Sequence, residues 1–549
     1  MNDNWRILAA LVLTMIVLVG WNFLFAPQQQ MQQPAGNQTR PVEQTEQQTA
    51  QRGQAESPSR ASGTQAVQEP GSKKMASQQF SSEQGKSLSV DTPLYRAELY
   101  TDGGILEHFV LKKFKESIKK GAEPIDLISR KSMNKAPLGI LWNQSPTWKQ
   151  AKWTYQGDDL RLRGKETGSI TLKGDFSGLI VERVFTFQAD SYEIKEQVRI
   201  RNSSGKLVSG SLAFTLASES MVADASRFNT TNVSYYLQGS LEQEDDTDDL
   251  KLGLKSEQPV SWAGIESNYF LMAAVPTSSP MYLKGKYEQG VYRVALEEGL
   301  SVKPEQSEEY TLSYYLGPKL GTYLSGAPNN LGEALNYGWL DIIANPLVVM
   351  LNFFYDYVGN YGLAIIVLTF VIKIIFWPLS HKSYKSMEKM KKIQPMMKKL
   401  KEQYKDDRQK MNQELMQLYK TYKVNPAGGC LPMILQIPVF IGLYEALLGA
   451  LELRHATFIT HVPFTDIVWL ADLSAKDPLY VTPVVMGLSM FLQQKMSPTA
   501  GDPTQAKIML FMPIFLTFIF LNFPAGLVVY FITNNLLSMA QQWWILRKA

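Results

Sequence analysis

The sequence predicts a polytopic α-helical membrane protein of six transmembrane helices, five of them forming a core. A large all-β sandwich stands outside the membrane and a helical hairpin stands in the cytoplasm. Three observations carry that expectation. Long apolar runs cluster at the start and in the last third of the 549 residues. Strand-like alternation fills the middle. One segment, His381–Cys430, holds 13 Lys/Arg against 5 Asp/Glu, although the whole chain carries a net charge of only +4.

The first element is a 19-residue apolar run, Ile7–Phe25, preceded by Arg6. At 1.5 Å per residue it can cross a hydrocarbon core of about 30 Å. A cleaved signal peptide would have a shorter apolar region and a small-x-small site, whereas Phe23-Leu-Phe-Ala-Pro27 follows here. Residues 1–26 therefore read as a signal-anchor helix, and the lack of a following Cys excludes a lipoprotein. Residues 27–88, rich in Gln, Ser, Thr, Pro and Gly, bury too little apolar surface to offset their conformational entropy and are expected to be a disordered linker.

From 89 to 335 the pattern has a period of two. Gly168–Gly205 reads as successive strands broken by Gly-, Asp- and Ser-rich turns, and similar runs recur at Leu94–Lys112, Ser209–Leu216, Tyr269–Val275, Gly290–Ala295 and Glu309–Leu316. Strands without intervening helices predict a sandwich. Its acidic stretch Glu242–Asp249 fits no calcium-loop spacing and reads as a solvated loop. The single cysteine, Cys430, means that no internal disulfide staples this domain.

Residues 336–358 are apolar on one side, with Asp341, Asn345, Asn352 and Asp356 interspersed, as in a helix lying at the membrane surface. The core, 359–549, holds five further spans near 361–379, 429–450, 479–495, 508–523 and 525–542. The Lys-rich segment between the first two of these is placed in the cytoplasm by the positive-inside rule. Both termini are then inside and the β domain outside. Within the segment, a coiled hairpin at 381–425 has one seam of Met390, Ile393, Met397, Leu400 and Tyr404. A second seam of Met411, Leu415, Leu418 and Tyr422 faces it, and Pro395 is expected to kink the first arm.

Enzyme signatures are missing. Four histidines, none deep in a span, no HExxH, GxSxG or Walker-type loop, and no intramembrane carboxylate pair leave no machinery for hydrolysis or metal catalysis. No cofactor is implied. What stands out is Lys373, inside the run Gly362–Ser380, where a cation costs about 2.5–3.5 kcal/mol unless something wets or pairs it. Thr369 shares its face, Gln436 lies at a similar depth, and Thr533, Asn534 and Asn535 lie near the middle of the last span. If these faces converge they form a hydrated cationic cavity open to the cytoplasm. The competing account is a lysine that snorkels to the headgroups. Glu445 is too far along its own span to pair with it and reads as lying at the outer interface. Met387, Met396 and Met416 fall off the hairpin seam and suit contact with varied apolar sequences.

Three stretches are specific: Lys423–Phe440 with its NPAGGC, Gln494–Pro513, and Asn522–Asn535 with its FPAGLVVY. Together they resemble the YidC membrane-protein insertases of Gram-negative bacteria, over the whole chain. The resemblance implies insertion of nascent membrane proteins into the inner membrane, alone or beside the Sec translocon, without nucleotide or cofactor. It also implies a hydrophilic groove in which Lys373 stands at the family's positive position and Thr369 beside it. Tyr530 and Phe531 match an aromatic pair that contacts substrates. The hairpin, including Lys398 and Lys399, and the ribosome are implied partners in recruitment, and lipids border the groove. Two departures are visible: Lys373 replaces the family's usual Arg, and the sequence stops at Ala549 without a longer basic tail. A solute transporter with an accessory β domain is the alternative function; it calls for inverted repeats, which the spans do not display.

Overall fold

A computed structural model describes residues 85–221, 230–424, 431–462, 464–465, 467–496 and 503–548. The expected anchor and almost all of the expected linker lie outside the described residues, as does the 425–430 stretch with Cys430.

Strands run from Ser87 to Pro318 and form three sheets of five, nine and six strands. Those used below are β1 (Leu179–Gln188), β2 (Glu193–Asn202), β3 (Val208–Ser218), β4 (Phe270–Pro276), β5 (Tyr282–Glu288), β6 (Val291–Val302) and β7 (Ser307–Pro318). In the nine-stranded sheet, β4, β7, β2 and β1 are consecutive neighbours; in the six-stranded sheet, β5, β6 and β3 are. The alternation legible in the sequence is the alternation of burial: every second residue of β1 and β2 faces the core. All seven residues of β4 are buried, because that strand is covered on both faces. One apolar cluster, including Phe185, Phe214, Trp262 and Tyr314, unites the sheets. Two charged residues stand in its inward rows. Arg183 gives Nε to Glu196 (2.5 Å), Nη2 to the Leu138 carbonyl (2.6 Å) and Nη1 to the Gly103 carbonyl, while Tyr314 donates to the other Glu196 oxygen at 2.8 Å. The acidic stretch is not simply a loop: it ends a strand at Glu244 and opens a short helix, Thr247–Leu252, which the Asp246 side chain caps.

Among the described residues eight longer helices follow: α1 (Asp341–Val358), α2 (Tyr361–Ile375), α3 (Trp377–Gln403), α4 (Arg408–Thr421), α5 (Leu431–Gly449), α6 (Val481–Met496), α7 (Pro503–Phe520) and α8 (Ala525–Lys548). The run expected to continue to 379 breaks at Phe376, and α2 and α3 meet at 66°. Pro378 in the first turn of α3 lacks the N–H that would prolong the ladder of α2. The Pro395 site stays within one unbroken helix. Among the described residues no single helix is long and apolar enough to cross a membrane alone, although the bent α2–α3 pair satisfies both conditions together.

The β domain and the helices share a seam. Leu451, just after α5, is buried in the sandwich core, and the Asn268 amide donates to the Leu448 carbonyl at 3.4 Å. Arg454 donates to the Glu116 carbonyl at 3.1 Å and lies over the rings of Tyr269 and Phe270. Glu445, near the end of α5, accepts from the backbone N–H of Leu340 at the start of α1.

Candidate functional site

The helical core has a buried apolar cluster that includes Leu368, Leu443 and Val528, but it also buries polar side chains and exposes large apolar ones. Phe511, Phe515 and Phe518 on α7, Val484 and Leu488 on α6, and Phe370 and Ile374 on α2 are each more than half exposed. Thr369, Lys373, Ser489, Asn535, Ser538, Gln541 and Gln542 are buried. In water that distribution is unfavourable at about 25 cal/mol per Å² of apolar surface; in lipid it is the expected one.

Lys373 sits one turn above Thr369 on α2 because residues four apart share a helix face. Its side chain is 9 % exposed, and Nζ lies 2.7 Å from the Ser538 hydroxyl on α8. Ser538 donates in turn to the carbonyl of Asn534 at 2.6 Å, and the Tyr384 phenol reaches Ser538 from α3. One turn earlier on α8, the Asn534 side-chain oxygen accepts from Gln436 on α5 at 2.9 Å. Lys373, Gln436 and Asn534 are thus brought to one polar seam between α2, α5 and α8, while the Thr369 hydroxyl, buried one turn away, donates to its own helix at the Ile365 carbonyl (2.6 Å). The lysine turns inward to a hydroxyl rather than out along the helix. Among the described residues no carboxylate lies within salt-bridge distance of it.

Other sequence-selected residues go elsewhere. Thr533 bonds its own helix, at the Val529 carbonyl (2.8 Å). Asn535 faces α6 and donates to Ser489 at 3.0 Å. Tyr530 is only 2 % exposed, packed in the helical core. Phe531 is partly buried, its ring 4.9 Å from Phe440 and 4.8 Å from Phe520. In the hairpin, Met390, Ile393, Met397, Leu400, Met411, Leu415 and Leu418 form the seam as expected, but Tyr422 is 44 % exposed. Tyr419 takes its place, with its hydroxyl 3.9 Å from the sulfur of Met397, and Tyr404 instead stacks beneath the Lys410 ammonium. Met396 and Met416 are exposed, Met387 is partly so, and Lys398 and Lys399 face outward.

Sequence reasoning missed Ser538, Gln541 and Gln542. The signal was present: Asn534, Ser538 and Gln542 recur at intervals of four on α8. Gln542 donates to the Met496 carbonyl at 2.8 Å, and its oxygen, like the Gln541 amide nitrogen and the His381 Nδ1, has no protein partner. Buried polar atoms on α8 and α3 without a partner among the described residues mark a place where water or a polar chain completes the bonding.

An apolar exterior and a buried polar seam, where Lys373 has a hydroxyl and, among the described residues, no carboxylate for a partner, define a helical membrane protein, here carrying a β-sandwich domain. A family model described as 60Kd inner membrane protein matches residues 353–549, and one described as YidC periplasmic domain matches residues 87–350. The membrane protein insertase YidC of Nitratidesulfovibrio vulgaris (strain DP4) is 51 % identical over 548 residues, covering 100 % of both chains. That of Oleidesulfovibrio alaskensis is 50 % identical over 549 residues, again covering 100 % of both. Among solved structures, an active YidC insertase with its first transmembrane domain resolved aligns at 19 % identity, over 85 % of this chain and 94 % of that chain, with a TM-score of 0.36. The chain belongs to the YidC family of membrane protein insertases, proteins of the inner membrane with a periplasmic domain.

Proposed function

We propose that this chain inserts nascent membrane proteins through the seam around Lys373, which serves as a groove open to the cytoplasm. The observation that carries this reading is a buried ammonium whose partner is a hydroxyl and not a carboxylate. A structural ion pair would be self-contained. A cation held by Ser538 keeps charge available for an acidic segment in transit, and Gln436, Asn534 and Thr369 supply hydrogen bonds beside it. The substrate's apolar helix drives the step by leaving water, at about 25 cal/mol per Å². The groove lowers the cost of moving the attached hydrophilic tail.

The six-span count, with both termini in the cytoplasm, belongs to the same proposal and rests on the charge asymmetry of the sequence. So do the domain limits 1–26, 27–88, 89–335, 336–358 and 359–549, the last including the hairpin 381–425. Exposed Met396 and Met416, with Lys398 and Lys399 nearby, suit the hairpin to first contact with substrate or ribosome. Cooperation with the Sec translocon is the expectation carried by the family resemblance. The test is photocrosslinking from positions 369, 373, 436 and 531 to stalled nascent chains. Crosslinks from 373 and 436 are expected, strongest when an acidic tail is in transit. Crosslinks confined to the hairpin would overturn the groove.

A further inference from the structure

A second cation cluster lies in the β domain, far in sequence from the groove and unused by it. Arg293 stands on β6 between Tyr292 and Val294, which face the sandwich core, so its side chain points to the other face of the six-stranded sheet. That face is covered by the short helix Arg130–Met133 and the turn after it, and Arg293 is only 4 % exposed. Lys135, 5 % exposed, reaches in from that turn, and Lys286 stands opposite Arg293 on β5. Three cations therefore converge from three elements on one carboxylate, Glu288.

The carboxylate does not satisfy them. Glu288 Oε2 lies 3.7 Å from Lys135 Nζ and 3.8 Å from Arg293 Nη1, and Oε1 lies 3.9 Å from Lys286 Nζ. Among the described residues, Arg293 Nε and Nη1 and Glu288 Oε2 have no hydrogen-bond partner. The neighbouring carboxylate on this face does not help, because Glu297 is already paired with Lys284. Among the described residues the one hydrogen bond within the cluster is from Lys135 Nζ to the Gln289 side-chain oxygen, at 3.1 Å. Burial pulls the Arg293 and Lys135 pKa values down, as expected of cations short of counter-charge. A guanidinium withdrawn from water with two idle donor nitrogens is costly unless an anion completes it.

We propose that Arg293, Lys135 and Lys286 form a binding site for a small oxyanion of the phosphate or sulfate type, with Glu288 as a weak tethered stand-in that yields its place. Three donors approaching from different elements match the several acceptor corners of a tetrahedral oxyanion better than a planar carboxylate. Glu288 can move: it is 22 % exposed, at the end of β5, where the two-residue turn Gln289–Gly290, with φ of 55° and 85°, leads into β6. The ligand is a free ion. Arg293 and Lys135 are too deeply covered for a phosphate that remains attached to a bilayer.

The test is thermal unfolding of the full chain in zwitterionic-lipid nanodiscs, titrated with inorganic phosphate at ionic strength held constant with chloride. A saturable rise in Tm is expected. Glu288→Gln removes a like charge and should tighten the apparent Kd roughly tenfold. Arg293→Met, Lys135→Met and Lys286→Met should each weaken it about tenfold or more. Lys286, 23 % exposed on a strand face, provides a variant that leaves the core untouched. No phosphate-specific rise in either wild type or Glu288→Gln would overturn the site, as would an undiminished rise in Lys135→Met and Lys286→Met. Nanodiscs of anionic lipid should leave the phosphate affinity unchanged. Competition from them would assign the site to headgroups and overturn the free-ion reading.

Discussion

Lys373 Nζ and the Ser538 hydroxyl, 165 positions apart in sequence, lie 2.7 Å from each other across α2 and α8. In the proposed groove, a neutral partner leaves this cation's charge available to passing negative charge. Lys373→Glu should therefore abolish insertion of substrates with acidic translocated tails, by at least tenfold, while Lys373→Arg should keep most of it, since the charge persists. Protease protection of a reporter tail in proteoliposomes gives the measurement. Wild-type yields from the Glu variant would remove the charge from the mechanism.

Ser538 has a separable role. It orients the ammonium and ties it to the Asn534 carbonyl. Removing a hydrogen bond to a charged group costs about 1.5–3 kcal/mol. Ser538→Ala should thus lower thermal stability in detergent and reduce insertion of acidic tails more than of neutral ones, and Ser538→Thr should restore both. Equal losses for the two tail types would make Ser538 merely structural.

The hairpin shows where periodicity misleads. Heptad spacing selected Tyr422, yet Tyr419 fills the seam beside Met397. Tyr422 caps α4 with its N–H still bonded to the Leu418 carbonyl at 3.0 Å, yet its side chain is exposed, so spacing alone does not place it in the seam. Tyr419→Ala should speed amide hydrogen exchange in α3 and α4 by opening the seam, and Tyr422→Ala should leave it near wild type. Similar exchange in both variants would contradict the assignment.

The same logic explains what the sequence could and could not disclose. Alternation in β1 and β2 was legible because one face of each strand is buried and the other is not. Strand β4 overlaps the run Tyr269–Val275, read as alternating, but all seven of its residues are buried, and burial on both faces erases the period. Lys373 and Asn534 announced themselves as polar residues in apolar surroundings. Ser538 did not, because a hydroxyl on a helix can satisfy itself on the carbonyl four residues back; only the approach of α2 shows that it also holds a lysine. The break at Phe376 was concealed by apolar residues continuing across it.

A pH effect is expected at Asp91 in the β domain. A hydrogen bond from Lys112, with Arg163 at 3.1 Å, holds its carboxyl below the ordinary value. A carboxylate with a depressed folded-state pKa adds stability above its unfolded pKa of about 3.9 and loses it as pH falls through the folded value. Asp91→Asn should destabilise the protein at pH 7 by no more than about 1 kcal/mol, the pair being largely solvated. The difference from wild type should shrink as pH falls below about 3.9 and vanish once pH is below the folded value. A difference independent of pH would point to packing instead.

Arg183 and Glu196 test what a buried pair contributes. Neither has measurable exposure, and each keeps further partners: the Gly103 and Leu138 carbonyls for Arg183, and Tyr314 for Glu196. Arg183→Met alone strands a carboxylate in the core and should cost about 3–5 kcal/mol. Adding Glu196→Gln removes that stranded charge, so the double variant should be more stable than Arg183→Met, although the two carbonyls remain unpaired. Chemical denaturation of the full chain, followed by the fluorescence of its tryptophans, gives the cycle. If the double variant is the less stable, Glu196 has an interaction of its own beyond Arg183, with Tyr314 as its remaining partner.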